Sequence, residues 1–148
     1  MGFEPLCKKY GVKIAIENMD YSFTYPDLLN ELLRRMNSPW FGVVLDIGHA
    51  WGKGNIQPGE FVRQLDPGIL LGLHIQDTQN GNDAHMVPFM GDIDFTDLNM
   101  ALKEYCYEGD YALEVPSFIM LYSKYGLIKS AFDFSAAIGR KLVNDLDS

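Results

Sequence analysis

Four ionisable residues each stand at the end of a short apolar run. Glu17 follows Val12–Ile16, Asp46 follows Gly42–Leu45, His74 follows Ile69–Leu73, and Glu114 follows Tyr111–Leu113. Two glutamates, one aspartate and one histidine make an oxygen-rich set with a single imidazole. Mn²⁺ and Mg²⁺ favour such donors, and Co²⁺ and Zn²⁺ are compatible with them. If the four groups met without a cation, three would carry like charge and the assembly would be costly. A divalent ion removes that cost. Taken singly, an acid at a strand end is most often a helix cap or a surface ion-pair partner. A histidine after an apolar run is most often a satisfied core residue. The repetition of the pattern in all four runs is what points to chemistry.

The elements that must position these residues read as an alternation of strand and helix. The apolar runs are rich in Val, Ile and Leu and do not alternate strictly, as expected of parallel strands covered on both faces. Between them, Leu28, Leu29, Leu32, Leu33 and Met36 recur at helical spacing, with Pro26 as a start signal. Pro58–Leu65 is a shorter candidate helix. Thr96 is expected to cap a helix carrying Leu98, Ala101, Leu102 and Tyr105, which Gly109 would end. A last helix is expected from about Ser130 to Leu146, and Pro5–Tyr10 reads as the tail of a preceding unit's helix. Repeated strand–helix units imply a parallel sheet with right-handed crossovers. Strand-to-strand steps of roughly 30 to 40 residues fit the units of a (β/α)8 barrel, whose active site lies at the C-terminal ends of the strands. A complete barrel typically takes about 250 residues, and this chain has 148. It has room for four of the eight units. Four parallel strands have two open edges, which invite pairing with another chain. The expectation is a homodimer closing a two-fold assembly, or a separate N-terminal half-barrel.

Composition narrows the function classes. Twenty acids face twelve Lys and Arg, for a net charge of -8, and no basic cluster exceeds a pair such as Lys8-Lys9 or Arg34-Arg35. A nucleic-acid partner is therefore disfavoured. No apolar run approaches the length of a transmembrane helix, about 18 residues or more, and residues 1–13 lack the pattern of a signal peptide. Cys7 and Cys106 match no metal or redox spacing, which reads as two reduced thiols in the cytoplasm. No linker divides the chain, so one domain is expected over residues 1–148. Gly52-Lys53-Gly54 reads as a plain turn. Trp51 is expected to wall a pocket and Trp40 to pack in the core. Asp77 is either a partner that orients His74 or a surface-loop residue.

Ile16-Glu17-Asn18, Leu45-Asp46-Ile47-Gly48-His49, Leu73-His74-Ile75-Gln76-Asp77 and Leu113-Glu114-Val115 resemble the last four strands of the xylose-isomerase-like sugar isomerases and epimerases. Gly91-Asp92-Ile93-Asp94-Phe95 is similar to that superfamily's approach to its final strand. The resemblance spans nearly the whole chain and implies an α/β fold, the C-terminal half of a (β/α)8 TIM barrel, with four parallel strands each followed by helix. By resemblance to the ketose 3-epimerase branch, Glu17, Asp46, His74 and Glu114 would bind one divalent metal and His49 would contact a small-molecule sugar. In the endonuclease branch an Asp-x-His pair adds metal ligands, and Asp83-Ala84-His85 matches it; an ordinary polar loop is the alternative. The epimerases carry an Arg shortly after the third-strand His, where this sequence has Thr78, Gln79 and Asn80. The implied reaction is isomerisation or epimerisation through a metal-stabilised enediolate, with Glu17 and Glu114 removing and returning the proton. Two alternatives stand beside it: an inactive or accessory half-barrel that keeps the ligands, and endonuclease-type metal-assisted phosphodiester hydrolysis.

Overall fold

The computed structural model describes residues 2–19 and 25–147. Helix α1 (Glu4–Tyr10) leads into strand β1 (Ile14–Glu17), followed by α2 (Pro26–Met36) and β2 (Phe41–Asp46). Two short helices come next, α3 (Ile47–Gly52) and α4 (Pro58–Gln64), and then β3 (Leu70–Ile75) and α5 (Phe95–Tyr105). The chain ends with β4 (Asp110–Leu113), α6 (Pro116–Ser123) and α7 (Ile128–Asp147). The strands form one sheet in the order β1-β2-β3-β4, and every neighbouring pair is parallel. This is the α/β architecture of half a TIM barrel, with each strand followed by helix.

Local sequence explains the elements. Pro26 opens α2, where its missing N–H costs nothing. Asp27 in the first turn and Arg34 and Arg35 in the last complement the helix dipole. Asn37 ends the helix in the left-handed conformation, φ 45°. Leu29 and Leu33 turn inward while Leu28 stays exposed, so the buried stripe is narrower than the apolar pattern implies. Those two leucines join Val43 and Leu45 of β2, Leu73 and Ile75 of β3, and Leu98 and Leu102 of α5 in one core cluster. Each such side chain stabilises the fold by about 1.5–3 kcal/mol through burial. Arg63 of α4 clips the outside of this layer to Asp97 at 2.9 Å and Glu104 at 2.8 Å on α5.

Several expectations need correction. β1 and β2 run one residue and β3 two residues further toward their C-terminal ends than the apolar runs imply, while β4 ends with its run at Leu113. Glu17 and Asp46 are therefore the last residues of β1 and β2, His74 is the penultimate residue of β3, and Glu114 follows β4. The cap of α5 is Asp94, not Thr96: the Asp94 carboxylate accepts from the backbone N–H of Thr96 at 3.0 Å and of Asp97 at 2.9 Å. That helix ends at Cys106, φ 58°, rather than at Gly109. The last helix begins at Ile128, before Ser130. Neither α3 nor α6 was expected from the sequence. Trp40 is half-buried before the first residue of β2, at the end of the strand opposite Asp46. It lies outside the core cluster expected to hold it, and its place at that end keeps it from walling a site at the C-terminal ends of the strands.

Among the described residues, β1 pairs only with β2 and β4 only with β3, so both outer edges are open. Beside the β4 edge, α6, α7 and the turn between them leave Met120, Tyr125, Phe132 and Phe134 exposed. A cavity of about 580 Å³ lies there, lined by Leu113, Val115, Ile119 and Phe132. Ahead of β1 in the chain, Phe3 at the cap of α1 and Leu6 and Tyr10 within it are exposed. Among the described residues no helix is long and apolar enough to cross a membrane.

Candidate metal centre

Parallel strands bring their C-terminal ends to one side of a sheet. On that side Glu17, Asp46, His74 and Glu114 each offer one ligand-type atom, and all four atoms lie within 4.8 Å of one another. His74 is central: its Nδ1 is 3.4 Å from Glu17 Oε1 and 3.2 Å from Glu114 Oε2. Asp46 is fully buried, while the other three are partly exposed.

Asp46 is held from several sides. Its backbone N–H donates to Asn18 Oδ1 at 2.6 Å, and the Asn18 amide donates back to the Asp46 carbonyl at 2.9 Å. Its carboxylate accepts from the His49 N–H at 2.8 Å, which makes Asp46 the N-cap of α3. Gln76 Nε2 donates to both carboxylate oxygens at 3.0 Å. Asn18 and Gln76, both fully buried, escaped the sequence reading because amides carry no charge to attract notice. The available signal was the two-residue period of a strand, which sets Gln76 on the same face as His74.

The charges show the strain of this grouping. Burial pushes the Glu114 carboxyl above its ordinary value, the Asp46 charge adds to the push, and His74 and His85 oppose it. His74 Nδ1 and Glu114 Oε2 are buried without a hydrogen-bond partner. Unpaired buried polar atoms are costly, and a cation between these two would satisfy both. The donor set fits a divalent ion on that ground, and it has the oxygen-rich chemistry such ions prefer.

A second group adjoins the first. His49, Asp83 and His85 also offer atoms within 4.8 Å of one another. His49, 4% exposed, bridges the two groups: its Nδ1 is 3.5 Å from Glu17 Oε1 and its Nε2 is 3.2 Å from Asp83 Oδ2. His85 Nε2 lies 3.3 Å from Asp83 Oδ1. The Lys53 ammonium, just past α3, sits 3.2 Å from Asp83 Oδ2. For Asp83, burial pushes upward, but Lys53 and His49 outweigh it and the carboxyl falls below its ordinary value. Trp51 packs against the core from α3, with its indole N–H buried and unpaired.

Asp77 does not orient His74. Its carboxylate is turned to its own loop, accepting from the backbone N–H of Thr78 and Gly91, each at 2.8 Å, and of Ile93 at 3.3 Å. Its backbone pairs with Met86 in an isolated antiparallel bridge. Asp77 thus staples the base of the 77–93 loop that carries Asp83 and His85.

Comparison with known proteins places this arrangement. Residues 3–144 match the family described as xylose isomerase-like TIM barrel. The chain belongs to the xylose isomerase-like TIM barrel family. An uncharacterized protein of Methanocaldococcus jannaschii, MJ1311, is 34% identical over 116 residues, covering 74% of this chain and 39% of that protein. The crystal structure of a D-tagatose 3-epimerase-like protein superimposes with a TM-score of 0.73 at 26% identity, covering 97% of this chain and 51% of that one. The IOLI protein, whose crystal structure holds a zinc atom, superimposes with a TM-score of 0.70 at 24% identity, covering 97% and 51%. The xylose isomerase-like unit described here therefore spans about 39% of that curated relative and about half of those solved barrels.

Proposed function

We propose that this chain supplies the metal-binding half of a divalent-metal-dependent sugar isomerase or epimerase. The observation that carries the reading is the convergence of Glu17, Asp46, His74 and Glu114, one from the C-terminal end of each strand. Similarity to a D-tagatose 3-epimerase-like protein supports a ketose-type sugar as the substrate class. A cation held by the four residues would polarise the sugar's carbonyl and stabilise the charge that develops as the neighbouring carbon loses its proton. Glu17 and Glu114 come from the two outermost strands and flank His74 on either side. One of them would remove the proton and the other return it. On the side of α3 and the 77–93 loop, His49 and His85 would read sugar hydroxyls and Trp51 would contribute ring surface.

A complementary half-barrel is part of this proposal. Two open edges, with exposed apolar side chains beside β4, suit a second four-stranded unit, supplied by another copy or by a separate N-terminal half. It would cover the apolar surface and wall the sugar on the remaining side.

The proximity of His49, Asp83 and His85 favours one second reading, metal-assisted phosphodiester hydrolysis with a further cation at that group. Lys53 argues against it, because its ammonium already occupies Asp83. The net charge of -8 also disfavours a nucleic-acid substrate.

The test takes the chain as purified, and again mixed with an N-terminal half-barrel of a family member. Mn²⁺ binding is measured first, followed by turnover of a ketohexose panel in deuterated buffer. The expected result is stoichiometric Mn²⁺ binding and deuterium entering the carbon next to the carbonyl. Mn²⁺ binding without exchange in either preparation would leave an accessory half-barrel as the better reading, and absence of Mn²⁺ binding would end the metal-centre reading. Cleavage of a phosphodiester substrate without sugar exchange would favour the second reading.

A further inference from the structure

Gln76 carries no charge and is fully buried, yet it touches both groups of ionisable residues. Its Nε2 donates to the two carboxylate oxygens of Asp46, each at 3.0 Å, and reaches Asp83 Oδ1 at 3.3 Å. Its Oε1 accepts from the His85 backbone N–H at 2.9 Å. His85 has φ 46°, a left-handed conformation that a residue with a side chain adopts at a cost. The bond to Gln76 holds the chain there, in the turn that sets His85 Nε2 3.3 Å from Asp83.

The fold makes room for this amide. A Cβ on Gly48 of α3 would lie 2.3 Å from Gln76 Cδ, 2.6 Å from Oε1 and 2.7 Å from Nε2. Helix α3 can approach so closely only because position 48 is glycine. The choice of an amide has a reason as well. The terminal torsion of an aspartate is soft, so a carboxylate must be fixed by what donates to it. An arginine or lysine in this place would fix Asp46 but also neutralise it, and would compete with a cation. The Gln76 amide and the His49 N–H fix the carboxylate and leave its charge available.

We propose that Gln76 is the positioning residue of the metal centre. One end of its amide aims Asp46 at the cation, and the other locks the turn that brings Asp83 and His85 alongside. The inference rests on the reading that Glu17, Asp46, His74 and Glu114 hold a divalent ion.

Two variants test it. Gln76→Met keeps the volume and removes every hydrogen bond. Gly48→Ala leaves Gln76 in the sequence but drives a methyl into its amide, while helix propensity alone would favour alanine. Mn²⁺ affinity is measured by the loss of the free-ion electron paramagnetic resonance signal. Exchange of the His85 backbone amide is followed with and without Mn²⁺, and circular dichroism checks the fold. Loss of a group that orients a ligand typically weakens metal affinity about 10–100-fold, and that loss is expected in both variants. The His85 amide is expected to exchange severalfold faster, whether Mn²⁺ is present or not. Folded variants that bind Mn²⁺ within twofold of the wild type, or that keep His85 protected, would overturn the proposal. If neither variant folds, Gln76 is a core-stabilising group and the proposal also falls. A wild-type chain that binds no Mn²⁺ removes the metal-centre reading and this inference with it, whereas wild-type binding with unaffected variants removes this inference alone.

Discussion

Replacing Glu114 with glutamine should stabilise the cation-free chain and destabilise the cation-loaded one, so that the order of melting temperatures inverts between the two conditions. The magnitude follows from the geometry. Glu114 offers its oxygen within 4.8 Å of the Asp46 and Glu17 oxygens. Two like charges at that separation repel by about 3.5 kcal/mol at an effective dielectric constant of 20 and by about 0.9 kcal/mol in bulk water. The Glu114 side chain is 39% exposed, so solvent screening favours the lower figure, and His74 beside it offsets part of the repulsion. A net relief of about 1 kcal/mol corresponds to a rise of about 2–4 °C in a chain of this size. With a cation at a hundred times its dissociation constant, the wild type gains about 2.7 kcal/mol, while the variant, one ligand short, gains much less. The assay is a thermal melt of both proteins in EDTA and again in Mn²⁺. A wild type more stable than Glu114→Gln in EDTA would refute the repulsion argument. Equal shifts of both proteins in Mn²⁺ would remove Glu114 from the ligand set.

Two further predictions concern the scaffold. The Tyr107 hydroxyl donates to the Asp110 carbonyl at 2.7 Å, and burial, followed by the neighbouring Tyr111 and Asp110, pushes its pKa above the ordinary value. The folded chain therefore keeps this proton after the unfolded chain has lost it, and stability should fall as pH rises past the usual tyrosine value of about 10. Tyr107→Phe should flatten that alkaline loss in urea titrations from pH 8 to 11; equal slopes for variant and wild type would contradict the assignment. At the start of α5, Asp94→Ala should cost about 1 kcal/mol and Thr96→Ala far less. Urea midpoints decide between them, and a larger cost at Thr96 would restore it as the cap.

The parts of the fold read from sequence are those in which periodicity and burial agree. β2 and β3 are central strands whose apolar runs supply Val43, Leu45, Leu70 and Leu73 to the core, and α2 and α5 carry leucine stripes long enough to show a helical period. Short elements were hidden. α3 is a six-residue helix containing Gly48 and His49, with too few turns to show a stripe. The eight-residue α6 is apolar on all sides and buries no residue fully, so its period carried no information. At α5, Asp94 and Thr96 are both capping types, and only the hydrogen bonds to the second and third amides of the helix separate them. Asp77 misled for a related reason: closeness in sequence to His74 implied contact, but the 77–93 loop turns back on itself and absorbs its carboxylate in backbone bonds.

Asp46 shows why the strand-end residues were legible while their supports were not. A carboxylate at the end of a strand can be a helix cap or a ligand, and the sequence alone sets these as rivals. In the structure they are compatible. A carboxylate has about four acceptor positions; the His49 N–H takes one as the cap of α3, and the Gln76 amide takes two more. The cap fixes where α3 begins. α3 carries Gly48 against Gln76 and places His49 between Glu17 and Asp83. The local rule that a strand-end aspartate starts a helix is thus the step that assembles the surroundings of the candidate metal centre. Asp46→Asn should separate the two roles, because an asparagine caps a helix about as well as an aspartate but brings no charge to a cation. The variant should lose about 1–3 kcal/mol in EDTA, because its amide nitrogen meets Gln76 Nε2 where a carboxylate oxygen accepted, yet it should stay folded with α3 in place while its Mn²⁺ affinity falls steeply. A collapse of the fold in EDTA would mean that the charge, and not the cap, holds α3 in place.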